Sequence, residues 1–85
     1  MKAGRYYFNI LDGKLMVDDE GTFCNSWQEM REQAITTAGE CLRDMAPKYP
    51  SSLEWQLVVT NESHETVLRL RFALNETPLE VGAPV

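Results

Sequence analysis

Eighty-five residues, 44% of them apolar and 25% charged, make one small globular domain and leave no room for a second. The longest apolar runs are a handful of residues against the roughly 20 of a membrane-crossing helix, and Met1 to Phe8 has no apolar stretch with a small-residue cleavage site, so a soluble, cytoplasmic chain without an export signal is expected. Thirteen acidic against eight basic residues give a net charge of -5 and a pI near 4.7, a field that repels a phosphate backbone.

Arg5 to Leu11 alternates, with Tyr6, Phe8 and Ile10 on one side and Arg5, Tyr7, Asn9 and Leu11 on the other, the pattern of a half-buried strand. Asp12-Gly13 then tolerates the positive φ of a two-residue hairpin turn, and Lys14 to Val17 returns as a second, shorter strand. The acidic turn Asp18-Asp19-Glu20-Gly21 ends it, and Thr22 and Phe23 continue briefly. Ser26-Trp27-Gln28-Glu29 spells a capping box, so a helix is predicted from Trp27 to Ala46. Trp27, Met30, Ala34, Ala38, Cys41 and Met45, joined by Ile35 and Leu42, recur at spacings of three and four as one apolar stripe. Gly39 lies inside that helix, which close approach of a neighbouring strand would explain. Pro47 stops the helix, and Lys48 to Ser52 reads as loop.

Glu54 to Thr60 alternates again as a third strand, with Trp55, Leu57 and Val59 on one face. Asn61 to Glu65 is a polar turn, and a fourth strand, Thr66 to Leu74, places Leu68, Leu70, Phe72 and Leu74 inward and Val67, Arg69, Arg71 and Ala73 outward. The predicted fold is therefore α+β: a ββαββ two-layer sandwich over residues 1–74, its four-stranded, largely antiparallel sheet carrying one helix on one face. Its core is expected to hold Tyr6, Phe8, Ile10, Trp27, Met30, Ala34, Ala38, Leu42, Trp55, Leu57, Leu70 and Phe72. The first and fourth strands are the most apolar, which favours the order second-first-fourth-third over second-first-third-fourth. Residues 75–85, with Pro78, Gly82 and Pro84, are expected to form a flexible tail unless Leu79 and Val81 dock.

Several spaced segments carry a resemblance. Arg5-Tyr6-Tyr7-Phe8-Asn9-Ile10 before Asp12-Gly13, the Asp18-x-x-Gly21 turn, the alanine-bearing helix and Trp55-Gln56-Leu57-Val58-Val59-Thr60 resemble a family of short rhizobial and related alphaproteobacterial proteins that is a domain of unknown function, over Arg5 to Leu74. The resemblance implies a compact bacterial α+β domain and no activity. Family members carry an Asp-Gly-like turn between the last two strands, where this chain has Ser63-His64, so a different backbone conformation is expected there. Ser26-Trp27-Gln28-Glu29 and the strand-to-helix order are also similar to HicB-type antitoxins, which would imply binding of a toxin-like partner; the DNA-binding segment those proteins add has no counterpart here.

The chemistry-bearing residues are few. Cys24 and Cys41 stand 17 apart, no C-x-x-C pair, and with one histidine they cannot complete a four-ligand zinc site. A Cys24–Cys41 disulfide is sterically open, but a free Cys41 on the helix stripe suits a small hydrophobe. Cys24 precedes a helix N-terminus, a setting that can lower a thiol pKa, yet no second group is placed to use it. The acidic turn lacks the ligand spacing of a calcium loop, and His64 sits in a polar turn between Ser63 and Glu65, so neither a metal, a cofactor nor a catalytic role is expected. The sheet face away from the helix is the better surface. It gathers Arg5, Tyr7, Gln56, Arg69 and Arg71 with Leu11, Val58 and Val67, a set more suited to a protein partner than to a nucleic acid, although single-stranded RNA can stack on such platforms. Glu54 is placed to neutralise an arginine across the strands. A non-catalytic interaction or accessory module is the expectation, either monomeric with the tail around Leu79 and Val81 over the sheet, or a homodimer formed through the rim at the third strand, which has Val58 and Val59 and only Glu54 as an edge charge, or through the inner-face area that one helix leaves uncovered.

Overall fold

The computed structural model describes residues 3–48, 52–77 and 79. In chain order these form β1 (Gly4–Leu11), β2 (Leu15–Met16), β3 (Thr22–Cys24), α1 (Trp27–Met45), a 3-10 turn over Ala46–Lys48, β4 (Ser52–Thr60) and β5 (Thr66–Asn75). One helix lies against an antiparallel sheet, the α+β architecture read from the sequence. The brief continuation at Thr22 and Phe23 is itself a strand, β3, paired with the start of β1 through Gly4 to Tyr6.

Helix α1 starts where the capping box places it. Ser26 is extended, and its Oγ accepts the Glu29 amide at 3.1 Å. The second half of the box is replaced: the Glu29 carboxylate accepts from Asn25 Nδ2 at 3.3 Å. Only part of the stripe is core. Met30 and Ala34 are fully buried and Ala38, Cys41, Leu42 and Met45 pack on their margin, whereas Trp27 is 38% exposed and Ile35 is exposed as well. Trp27 is the first helical residue, and Ile35 stands about 100° round the helix from Ala34, so neither shares the line that meets the sheet. The expected strand contact at Gly39 is also not found among the described residues: a Cβ there would meet none of them within 4 Å.

The sheet order is β2-β1-β4-β5, with β3 also on β1. The favoured order, with the last strand beside the first, is thereby corrected to its alternative. Phe8 pairs with Val59 and Ile10 with Leu57, while β5 pairs only with β4, from Ser52 opposite Asn75 to Thr60 opposite Thr66. Burial explains the arrangement. Trp55, Leu57 and Val59 are buried completely between two neighbours and the helix, whereas Leu68, Leu70, Phe72 and Leu74 on the outer strand are half-buried. Total apolar content made β5 look central, but β4 carries the bulkiest inward side chain, Trp55, stacked at a tilt on Phe72 with ring centroids 6.1 Å apart. A register shift at Val59/Thr60 leaves Val67 as an extra residue in β5, a bulge that turns Val67 onto the core rather than outward.

The flanking expectations resolve unevenly. Leu79 is fully solvent-exposed, so it is no cover for the sheet, while docking of Val81 and most of the loop after Lys48 fall outside the described residues. Among the described residues no helix is long and apolar enough to cross a membrane.

Candidate functional site

The sheet face away from α1 is shaped by one turn and one buried amide. The register of β2 and β3 on β1 differs by two residues, and the extra chain is the Asp18-Asp19-Glu20-Gly21 turn. Asp18 replaces the missing ladder partner: its Oδ2 accepts the Phe8 amide at 3.1 Å, and its Oδ1 accepts the amides of Glu20 at 3.2 Å and Gly21 at 3.0 Å. Burial pushes this carboxyl up, but the Gly21, Phe8 and Glu20 amides together outweigh it and hold Asp18 below its ordinary 3.8. Gly21 closes the turn at a φ of 73°, where a Cβ would lie 2.9 Å from Arg5, the Tyr6 carbonyl and the Tyr7 ring.

Asn9, mid-strand in β1, is only 8% exposed and is fully engaged. Its Nδ2 donates to the Val58 carbonyl at 3.0 Å and to Thr60 Oγ1 at 3.3 Å, and its Oδ1 accepts the Asp18 amide at 3.0 Å. It therefore ties three segments together beneath the open face. An asparagine at the centre of an otherwise apolar and aromatic strand was the available signal for this role.

On the far side, the β4–β5 turn is built by Asn61, whose Oδ1 accepts the amides of Ser63 at 3.0 Å and Glu65 at 2.9 Å. His64 takes φ 63°, the left-handed conformation a glycine favours, so the expected departure from a glycine-type backbone is not found at this residue. In that conformation His64 comes to the wall of a depression lined by Tyr7, Asn9, Val17, Asp18, Asp19 and Thr60, of about 300 Å³. A second depression of about 260 Å³ adjoins it, sharing Asn9, Val17, Thr60 and His64 and adding Leu15 and Val58.

The residues singled out from sequence divide into two groups. Arg5 is structural, its Nη1 donating to the Glu20 carbonyl at 3.1 Å and its backbone amide donating to Glu62 Oε1 at 3.1 Å. Arg69 donates to Gln56 Oε1 at 3.2 Å, and Arg71 pairs with Glu54 at 3.3 Å, so each cation has a neighbour on β4 while remaining on the exposed face. Val67 leaves the face altogether. Tyr7 and Val58 line the depressions, and Leu11, opposite Leu15 on β2, sits beside them. The face thus contains an apolar strip that sequence reasoning placed only in part, because Leu15 and Val17, 59% and 65% exposed, lie in and just after β2, a strand of two residues that is too short to show a period.

Both Asp18 oxygens are committed to amides, and among the described residues no three His, Cys, Asp or Glu side chains come together as a metal site. Cys24 is buried, and burial followed by the Glu29 charge pushes its thiol up, opposite to the lowering a helix N-terminus can give. Burial, then Asp44 and Glu40, raises Cys41 likewise, and both cysteines are free.

No curated protein and no solved structure matches the chain significantly. A family model does, over residues 5–73, nearly the whole of the sheet and helix just described. Its extent agrees with the resemblance drawn over Arg5 to Leu74, at the level of a domain without assigned activity. The chain belongs to this family, a domain of unknown function (DUF6894).

Proposed function

We propose that the domain is a non-catalytic protein-interaction module that seats an apolar segment of a partner protein on the strip formed by Leu11, Leu15, Val17 and Val58. The observation that carries this reading is the exposure of Leu15 and Val17 at the lip of two adjoining depressions floored by Asn9 and Thr60. Each depression lies at or below the roughly 300 Å³ lower bound of small-molecule sites, which suits one or two side chains of a protein partner. Nucleic acid is the weaker occupant because Arg69 and Arg71 already have partners and the chain is acidic.

Photo-cross-linking in the source cells tests the proposal, with the reactive group carried at Leu15 or, as a control, at exposed Gln28 on the helix. A discrete protein adduct at Leu15, absent at Gln28 and lost on Val17→Asp, is the expected result. Equal labelling at both positions, or an RNA adduct at Leu15, overturns it.

A further inference from the structure

Self-association through a rim at the third strand of the sequence falls away, because that strand, β4, lies between β1 and β5. On the open face around Asn9 the two adjoining depressions differ in chemistry. One has Leu15 and Val58 on its wall together with Asn9, Val17, Thr60 and His64. The other shares those last four and adds Tyr7, Asp18 and Asp19, so two carboxylates and an aromatic ring stand on its wall and no lysine or arginine does. The carboxylates are unequally free. Asp18 commits both oxygens to the Phe8, Glu20 and Gly21 amides but keeps its charge. Asp19 is exposed, and its carboxylate has no hydrogen bond or ion pair with a described residue. Arg5, the cation held against this turn, donates to the Glu20 and Gly21 carbonyls at 3.1 and 3.4 Å and lines neither depression. Tyr7, with a ring edge against Gly21, adds an aromatic group of the kind that attracts cations. A net charge of -5 over the chain favours a positive group at this wall as well.

We propose that the apolar segment seated on the strip of Leu15 and Val17 carries a lysine or arginine, whose cationic head group enters the depression walled by Asp19, Asp18 and Tyr7. The proposal rests on the strip being the docking site and adds the chemistry of its occupant. The spacing follows from the shared wall. Because the depressions have four residues in common, their occupants are near neighbours in the partner chain. In an extended segment, side chains two positions apart point the same way and lie about 7 Å from each other. A basic residue two positions from a leucine-sized one is therefore the pattern this face recognises.

Capped pentapeptides test it by NMR titration of the full chain at pH about 8, where an ordinary histidine is uncharged. The probes are Gly-Lys-Ser-Leu-Gly, the same peptide with glutamate for lysine, and the same with serine for leucine. The lysine peptide should move the backbone amide signals of Val17, Asp19 and His64 with a millimolar Kd, and the glutamate peptide should bind about twofold to fivefold more weakly. Asp19→Lys, a change at an exposed side chain with no partner among the described residues, should reverse that order. Equal binding of the lysine and glutamate peptides, or an order unchanged by Asp19→Lys, overturns the cation and leaves the apolar strip standing. A serine peptide that binds as well as its leucine parent overturns the strip, and the proposal with it. Silence from all three peptides up to about 10 mM overturns the proposal too, while cross-linking at Leu15 still judges the strip alone.

Discussion

Asp18 satisfies three backbone amides with two oxygens, one of them the Phe8 N–H that β2 and β3 leave without a ladder partner. Asp18→Asn keeps the shape but turns an NH2 toward an amide donor, so at least one part-buried N–H loses its acceptor, at a cost of about 1–3 kcal/mol. The same carboxylate makes a pH signature. Its pKa is held below 3.8 in the folded chain, so its contribution is complete above that value and is lost as pH falls through the lower folded value. Urea unfolding should therefore show the variant less stable at pH 7, with the gap to the parent chain narrowing on acidification below pH about 4. A gap that stays constant to low pH would show the charge to be irrelevant. His64 is the counterexample in legibility at this scale. Its place in a polar turn was plain from Asn61 to Glu65, but its left-handed backbone was not, because that conformation is imposed by the side chain of Asn61 three residues earlier.

Helix α1 was legible almost to the residue because its signals are local: Ser26 accepts the Glu29 amide within one turn, and Pro47 forbids continuation a few residues past the last stripe position. Strand order was not, because pairing is decided by which inward side chains fill the space under the helix. Trp55 fills it, and the leucines of β5 are left at the margin. Asn9 was passed over for a related reason: its donors find Val58 and Thr60, acceptors about fifty residues away that no local pattern reveals. Gly39 extends the lesson to energetics. With none of the described residues within 4 Å of its Cβ position, it gains no packing from them in return for its backbone entropy, and its φ is not positive. Gly39→Ala should stabilise the chain by about 0.5–1 kcal/mol, read as a rise in the urea midpoint with unchanged slope. Destabilisation would show that the glycine serves a contact outside the single chain.

At the scale of the whole molecule the core is lopsided: Tyr6, Phe8, Cys24, Met30, Ala34, Trp55, Leu57 and Val59 are buried in one cluster, while the far half of α1 and the outer strand carry half-buried side chains. Opening of the chain should follow that division, with the margins loosening before the centre. The two free cysteines report on it, since Cys24 belongs to the cluster and Cys41 to its margin. Both thiols are raised from their ordinary value, so thiolate is scarce at neutral pH and the rates are governed by access. Under native conditions at pH about 8, alkylation followed by peptide mass mapping should modify Cys41 first. Cys24 should react only as fast as the cluster opens, and its rate should rise with urea in parallel with global unfolding. Cys24 sits on β3, a strand of three residues, so the alternative is that β3 peels from β1 while β1, β4 and Met30 stay packed. In that event Cys24 would react quickly with no dependence on low urea, and the stable unit would shrink to β1, β4, β5 and α1.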